Sequence, residues 1–230
     1  MIRANSSPSD AKMHSSRNLL IRFIIGGTTL IVSISAYFSY EAARKITLEE
    51  LRGRAFLEVQ RGVDEIEEWL HVRKVEVQTL AHTSTVRSLD WSVAKPYLKS
   101  EVDRINEFFV FQTATLDGSY FNTKVGRSNK NIKDRDYFQK ALAGKSNVSD
   151  PFISRSTGIS LIAIATPIWS NSSKSRSPIG VFNGNVKVDH IAKVVNSLRY
   201  GKNSYAFALN SQGEAIAHPD SVIDHGAIAD

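Results

Sequence analysis

Cysteine is absent from the 230 residues, which excludes disulfide frameworks, thiolate zinc sites, iron–sulfur clusters and cysteine nucleophiles. Compartment stays open, because a chain without thiols suits an oxidising periplasm and the cytosol equally. Catalytic signatures are missing as well. No Gly-x-Ser-x-Gly occurs, and Gly144-Lys145-Ser146 lacks the first glycine of a phosphate loop, a place held by Gln139. His82, His190, His218 and His225 do not share metal-ligand spacing. The chain is therefore expected to be no enzyme and to hold no metal or cofactor, any catalytic output lying beyond residue 230. Also lacking is a block of one charge. The net charge is +6, yet Arg44, Arg52, Arg73, Lys99 and Lys187 are scattered among acids. Without a basic run interleaved with aromatics, a nucleic-acid partner is not expected.

What is present suffices for a globular core, with 42% hydrophobic and 23% charged residues. Residues 19–40 are predominantly apolar and carry one charge, Arg22. As a helix they reach about 33 Å, enough to span the hydrocarbon of a bilayer. Arg22 can snorkel to one interface, while Tyr37 and Tyr40 suit the other. Arg3, Lys12, Arg17 and Arg22 before the span nearly balance Arg44, Lys45, Arg52 and Arg54 after it. Long following domains translocate largely regardless of charge, which favours an inside N-terminus and an outside remainder. The alternative is a cleaved signal peptide, with an apolar run at 23–32 and small Ser33 and Ser35 for cleavage. Continued apolar residues up to Tyr40 favour an uncleaved anchor.

Between residues 41 and 88 there is no proline, and Leu48, Leu51, Ala55, Val59, Val63, Ile66 and Leu70 recur at spacings of three and four. This predicts a long stalk helix with one apolar stripe. The stripe packs either on its own domain or on a second copy, making a homodimer through the stalk. A second short helix is expected at 97–105. Strand patterns follow at 108–115 and 119–123 around the Asp117-Gly118 turn, then a polar loop at 124–133. Asp134 reads as the N-cap of a short helix that Gly144 stops. Further strands are expected at 148–154, 160–170 and 178–188, with a polar turn at 171–177, and then a helix at 189–198. Helices followed by antiparallel strands indicate an α+β domain. A last hairpin is expected at 204–218. An isolated hairpin is marginal, so the sequence reads as ending within a second sheet domain.

The pieces Asp134-Arg135-Asp136-Tyr137-Phe138, Gly144, Val148-Ser149-Asp150-Pro151-Phe152-Ile153, Thr157-Gly158, Ala165-Thr166-Pro167-Ile168, Gly180-Val181-Phe182-Asn183-Gly184 and His218-Pro219 come in a characteristic order. Together they resemble the double Cache family of extracellular sensor domains over most of the chain after residue 41. The resemblance implies a cytoplasmic N-terminus at 1–18, a transmembrane helix at 19–40 and a stalk helix at 41–90. It further implies a membrane-distal, PAS-like antiparallel sheet domain at 91–200 and the start of a membrane-proximal one at 201–230. Such a chain sits in the inner membrane and senses a small polar molecule, carboxylate or amino-acid-like, outside the cytoplasm. A diguanylate cyclase, histidine kinase or chemoreceptor output would follow. The competing reading is a membrane-anchored adhesion or assembly domain without a ligand.

Family members that bind amino acids grip the carboxylate with an Arg-x-Trp-Tyr motif and the ammonium with a strand aspartate. Arg135 and Tyr137 match the motif, Phe138 replaces its last tyrosine, and the aspartate falls on Asn185. Arg135 lies in the first turn of its helix, where the dipole disfavours a cation, so it needs an anion: a ligand, or Asp134 or Asp136. Tyr137 offers a hydroxyl, while Phe138 can pair with Leu142. Asp150 either accepts a ligand donor or begins a turn. Phe121 and Asn185 complete the candidate site.

Overall fold

The computed structural model describes residues 8–170, 177–198 and 204–217, with side chains from residue 17 onward. The polar turn expected from 171, and His218, Pro219 and His225, lie outside these. Helix α1 runs Pro8–Ala81. Its residues fall in two units, Met1–Phe56 and Leu57–Asp230, which are taken separately.

In the first unit, Phe23, Leu30, Ile31 and Phe38 are all exposed, and the helix is long and apolar enough to cross a membrane. Two of its polar side chains fold back on the backbone: Thr28 and Thr29 donate to the carbonyls of Ile24 and Ile25 at 2.9 and 2.8 Å, which satisfies those hydroxyls in a medium without water.

In the second unit α1 ends at Ala81, short of the stretch to 88 that periodicity suggests. Thr83 then caps α2 (Ser84–Arg87) and Asp90 caps α3 (Trp91–Ile105), each accepting a backbone N–H. Helix α3 starts earlier than expected because it tolerates Pro96 inside it. Strands β1 (Phe108–Ala114), β2 (Ser119–Asn122), β3 (Gly126–Asn131), β4 (Asn147–Val148), β5 (Phe152–Ile153), β6 (Ser160–Trp169) and β7 (Pro178–Lys187) form one antiparallel sheet. Its order is β3-β2-β1-β7-β6-β4, with β5 also on β6. The expected polar loop at 124–133 thus holds an edge strand, whose Arg127 and Lys130 discourage further pairing. The expected strand at 148–154 is two short ones, interrupted before Pro151.

Helices lie on both faces. Facing α2, α3, α5 (Asp189–Ser197) and the end of α1 is a core of Phe108, Phe111, Ile162, Ile164, Phe182 and Val186. Ring centroids of Phe111 lie 4.6 Å from Phe108 and 5.5 Å from Phe182. Burying each such ring contributes about 1.5–3 kcal/mol. Glycine at 184 is required here, since a Cβ would come within 2.5 Å of the Phe108 ring. Likewise Gly62 of α1 receives Leu198, whose Cδ1 would lie 2.7 Å from a Cβ. Facing α4 (Asp136–Leu142) is a smaller cluster of Ala114, Tyr120, Ile132, Tyr137, Phe138, Ala141, Ala163, Ala165 and Val181. Strands β8 (Ala208–Leu209) and β9 (Ala215–Ala217) make the expected hairpin as a separate two-stranded sheet, and Ala217 joins the cluster of Val77 and Ile191.

Candidate functional site

On the α4 side the strands carry small and amide side chains where a core would carry large ones. The register sets Asn122 opposite Gln112, Gln112 opposite Asn183, Asn183 opposite Ala165, and Ala165 opposite Asn147. Directly opposed residues share a face, so this is one row across five strands. The next row contains Ala163 and Asn185. Gln112, Asn122, Asn183 and Asn185 are all buried.

Some of these amides are satisfied. Asn122 Oδ1 accepts the backbone N–H groups of Lys124 and Val125, and Asn183 Nδ2 donates to Asn185 Oδ1 at 2.8 Å. Asn147 Nδ2 donates to the carbonyl of Tyr137 at 3.1 Å, tying the row to α4. Among the buried amide atoms of this row, Gln112 Nε2, Asn183 Oδ1 and Asn147 Oδ1 find no partner among the described residues. A buried polar atom left so costs about 1–3 kcal/mol, which marks a place where hydrogen bonds are still to be made.

Arg135 is the N-cap of α4 and makes no side-chain cap bond. Its guanidinium lies 4.9 Å over the Phe152 ring and donates to the Ile153 carbonyl at 3.1 Å. Phe152 in turn stacks on Tyr137 at 5.4 Å. Tyr137 is 4% exposed, and burial pushes its phenol up to about 12, against a smaller lowering by Arg135. It therefore stays a neutral hydrogen-bonding group at any physiological pH. Phe138 is buried beside it.

The five sequence candidates separate. Arg135 and Tyr137 sit together through Phe152, and Asn185 lies on the same side of the sheet. Phe121 lies on the other, paired with Thr113 and stacked on Trp91 at 5.4 Å. Asp150 is exposed, and its carboxylate accepts from the backbone N–H and hydroxyl of Ser211 in the β8–β9 turn. Asp134 is not a cap. Hydrogen bonds from Arg155 at 2.7 and 2.5 Å hold its carboxyl down at about 2, leaving Arg135 free of it as an ion-pair partner. Gln112, Asn147, Asn183 and Phe152 are not among the residues the motifs single out, yet the sheet brings them to this side. One signal for them was legible: a glutamine inside the aromatic run of β1, and asparagines two apart in β7.

A groove of about 530 Å³ lies on the side of α3 and α5, lined by Trp69, Glu107, Phe109, Lys124, Lys187 and His190 among others. Its groups are engaged with one another: Trp69 stacks on His190 at 4.2 Å and donates to Glu107, and both lysines lie over Phe109. Among the described residues no group of three His, Asp or Glu is placed to hold a metal ion.

A family model described as Cache domain matches residues 40–224. Among curated proteins, the methyl-accepting chemotaxis protein PscA of Pseudomonas syringae is 22% identical over 86% of this chain and 30% of its own length. McpG of Pseudomonas putida, of the same description, is 31% identical over 43% of this chain and 15% of its own. The chain thus spans under a third of the length of these relatives. Among solved structures, the ligand-binding domain of the Campylobacter jejuni chemoreceptor Tlp3, in complex with 4-methylisoleucine, has a TM-score of 0.60 at 14% identity, covering 76% of this chain and 74% of that one. That of the Pseudomonas fluorescens chemoreceptor CtaA, in complex with L-serine, has 0.57 at 19% identity, covering 70% and 69%. These likenesses agree with the mixed helix and antiparallel sheet architecture described above. With the family model matched over residues 40–224, more than half of its length, the chain belongs to the Cache domain family.

Proposed function

We propose that the chain is the sensing part of a transmembrane receptor, binding a small polar molecule between α4 and the sheet. Residues 1–18 are read as cytoplasmic, 19–40 as the membrane span, 41–90 as the stalk, 91–200 as the membrane-distal binding domain and 201–230 as the opening of a membrane-proximal one. The observation that carries this reading is the set of buried amide atoms without partners, on the side of the sheet where Arg135 and Tyr137 converge. Relatives named chemotaxis proteins, and similar domains solved with L-serine and GABA, support it. Arg135 holds the anionic end of the ligand, Tyr137 and Phe152 form its wall, and Gln112, Asn183 and Asn185 meet its body. Phe121 and Asp150 are read as structural. The chain acts by binding rather than catalysis, and its signal requires unequal affinity for two arrangements of the stalk.

Thermal-shift screening of the full chain against small carboxylates and amino acids tests the site. A ligand found this way should bind Arg135→Ala at least about tenfold more weakly, a loss near 1.4 kcal/mol. Equal binding would put the site elsewhere, and no stabilisation by any compound would favour the adhesion reading. Pairing of two copies through the stalk is supported by Val59 and Val63, 42% and 41% exposed. Single cysteines there should cross-link between chains in membranes, whereas absence of adducts would make the stripe unpaired.

A further inference from the structure

Resting on the site proposed above, we infer that its ligand is a small carboxylate whose body carries an uncharged donor–acceptor group, a hydroxyl or carboxamide, and no ammonium. The row of amides carries this step. Asn122, Gln112, Asn183 and Asn147 stand in one course of the sheet, with Ala165 leaving a gap between the last two. Gln112 Nε2 presents a donor, and Asn183 Oδ1 and Asn147 Oδ1 present acceptors, all three unpartnered among the described residues. A carboxamide can exchange its two ends, so the row offers neutral donors and acceptors in either arrangement. It offers no charge.

The carboxylates around α4 are each engaged elsewhere and exposed. Asp134 is held by Arg155 at 2.5 Å, Asp136 by Lys140 at 2.6 Å, and Asp150 by Ser211. An ammonium brought onto the row would lose its water and meet amide oxygens alone, with the cations Arg135 and Arg155 near the start of the helix above. A buried cation without a counter-charge is strongly disfavoured, while a hydroxyl or amide exchanges water for protein hydrogen bonds at little net change. The anionic end is provided for. The Arg135 guanidinium makes one hydrogen bond among the described residues, to the Ile153 carbonyl, and a guanidinium carries five N–H donors, so enough remain to hold a carboxylate.

Calorimetric titration of the full chain in nanodiscs with matched pairs tests the inference: L-lactate against L-alanine, L-glycerate against L-serine, and succinamate against L-asparagine. At least one hydroxy or amide acid should bind about tenfold tighter than its amino partner. Asn183→Asp, which puts a carboxylate in the row, should narrow or reverse that ratio. Asn185→Asp keeps an acceptor for Asn183 and serves where Asn183→Asp fails to fold. Amino acids that bind as tightly or tighter, with binding still lost in Arg135→Ala, would overturn the ligand class and leave the site standing. No binding by any compound, in a chain that unfolds cooperatively, would overturn the site and the inference together.

Discussion

Facing α3 and α5, the sheet carries Phe108, Phe111, Phe182 and Val186, interlocked to the point that only glycine fits at 184. Facing α4 it carries Ala163, Ala165, Gln112 and Asn183, with polar atoms left unpaired. The same strands supply both, alternating residue by residue. One face is optimised for stability, and the other keeps a standing cost of about 1–3 kcal/mol per unpaired group, which a ligand can relieve.

Truncation on the packed face should have the largest effect. Phe182→Ala should lower the unfolding free energy by about 3–5 kcal/mol in urea denaturation; a loss below about 1 kcal/mol would mean the aromatic stack is not the core. Gly184→Ala, which drives a Cβ to 2.5 Å from Phe108 Cε1, should cost about 1–3 kcal/mol by overpacking. The α4 face should answer differently. Gln112→Met fills similar space without a stranded amide, so the unliganded chain should change by less than about 1 kcal/mol, or gain, while its thermal shift with ligand falls. A large destabilisation would show that Gln112 is structural and would erase the contrast between the faces.

The smallest effect sits at the rim. Asp134 titrates at about 2 instead of its ordinary 3.8, chiefly through its hydrogen bonds from Arg155. A carboxyl depressed by folding adds stability above its unfolded value and loses it as pH falls through the folded one. The melting temperature of the wild type should therefore exceed that of Asp134→Asn near pH 5, and the two should converge between about pH 4 and pH 2. A gap independent of pH would assign the difference to packing.

Strands β1, β6 and β7 are legible in aromatic and β-branched runs, and the helix long enough to cross a membrane in the length of its apolar stretch. Edge strand β3 is not, since Gly-Arg-Ser-Asn-Lys-Asn has no alternation to read. Arg135 and Tyr137 were visible as neighbours on one short helix. The amide row was not, because it exists only once register brings Gln112 of β1 beside Asn183 of β7 and Asn147 beside Ala165. Asp134 and Asp150 were misplaced or left open for the same reason: Arg155 and Ser211 reach them from distant parts of the chain. Local chemistry ranks what a side chain can do, and topology decides which partner claims it.

The bond from Ser211 to Asp150 closes a ring in the polymer. Its ends are 61 residues apart, and a closure that long is only about 0.6 kcal/mol dearer than one half its length. The ring is closed on residues flanked by Asn147 and Phe152, both at the amide face. A two-stranded ribbon such as β8–β9 has little rigidity of its own, so it is held from two sides, by Ala217 in the core beside Ile191 and, at its turn, by the carboxylate that accepts from Ser211.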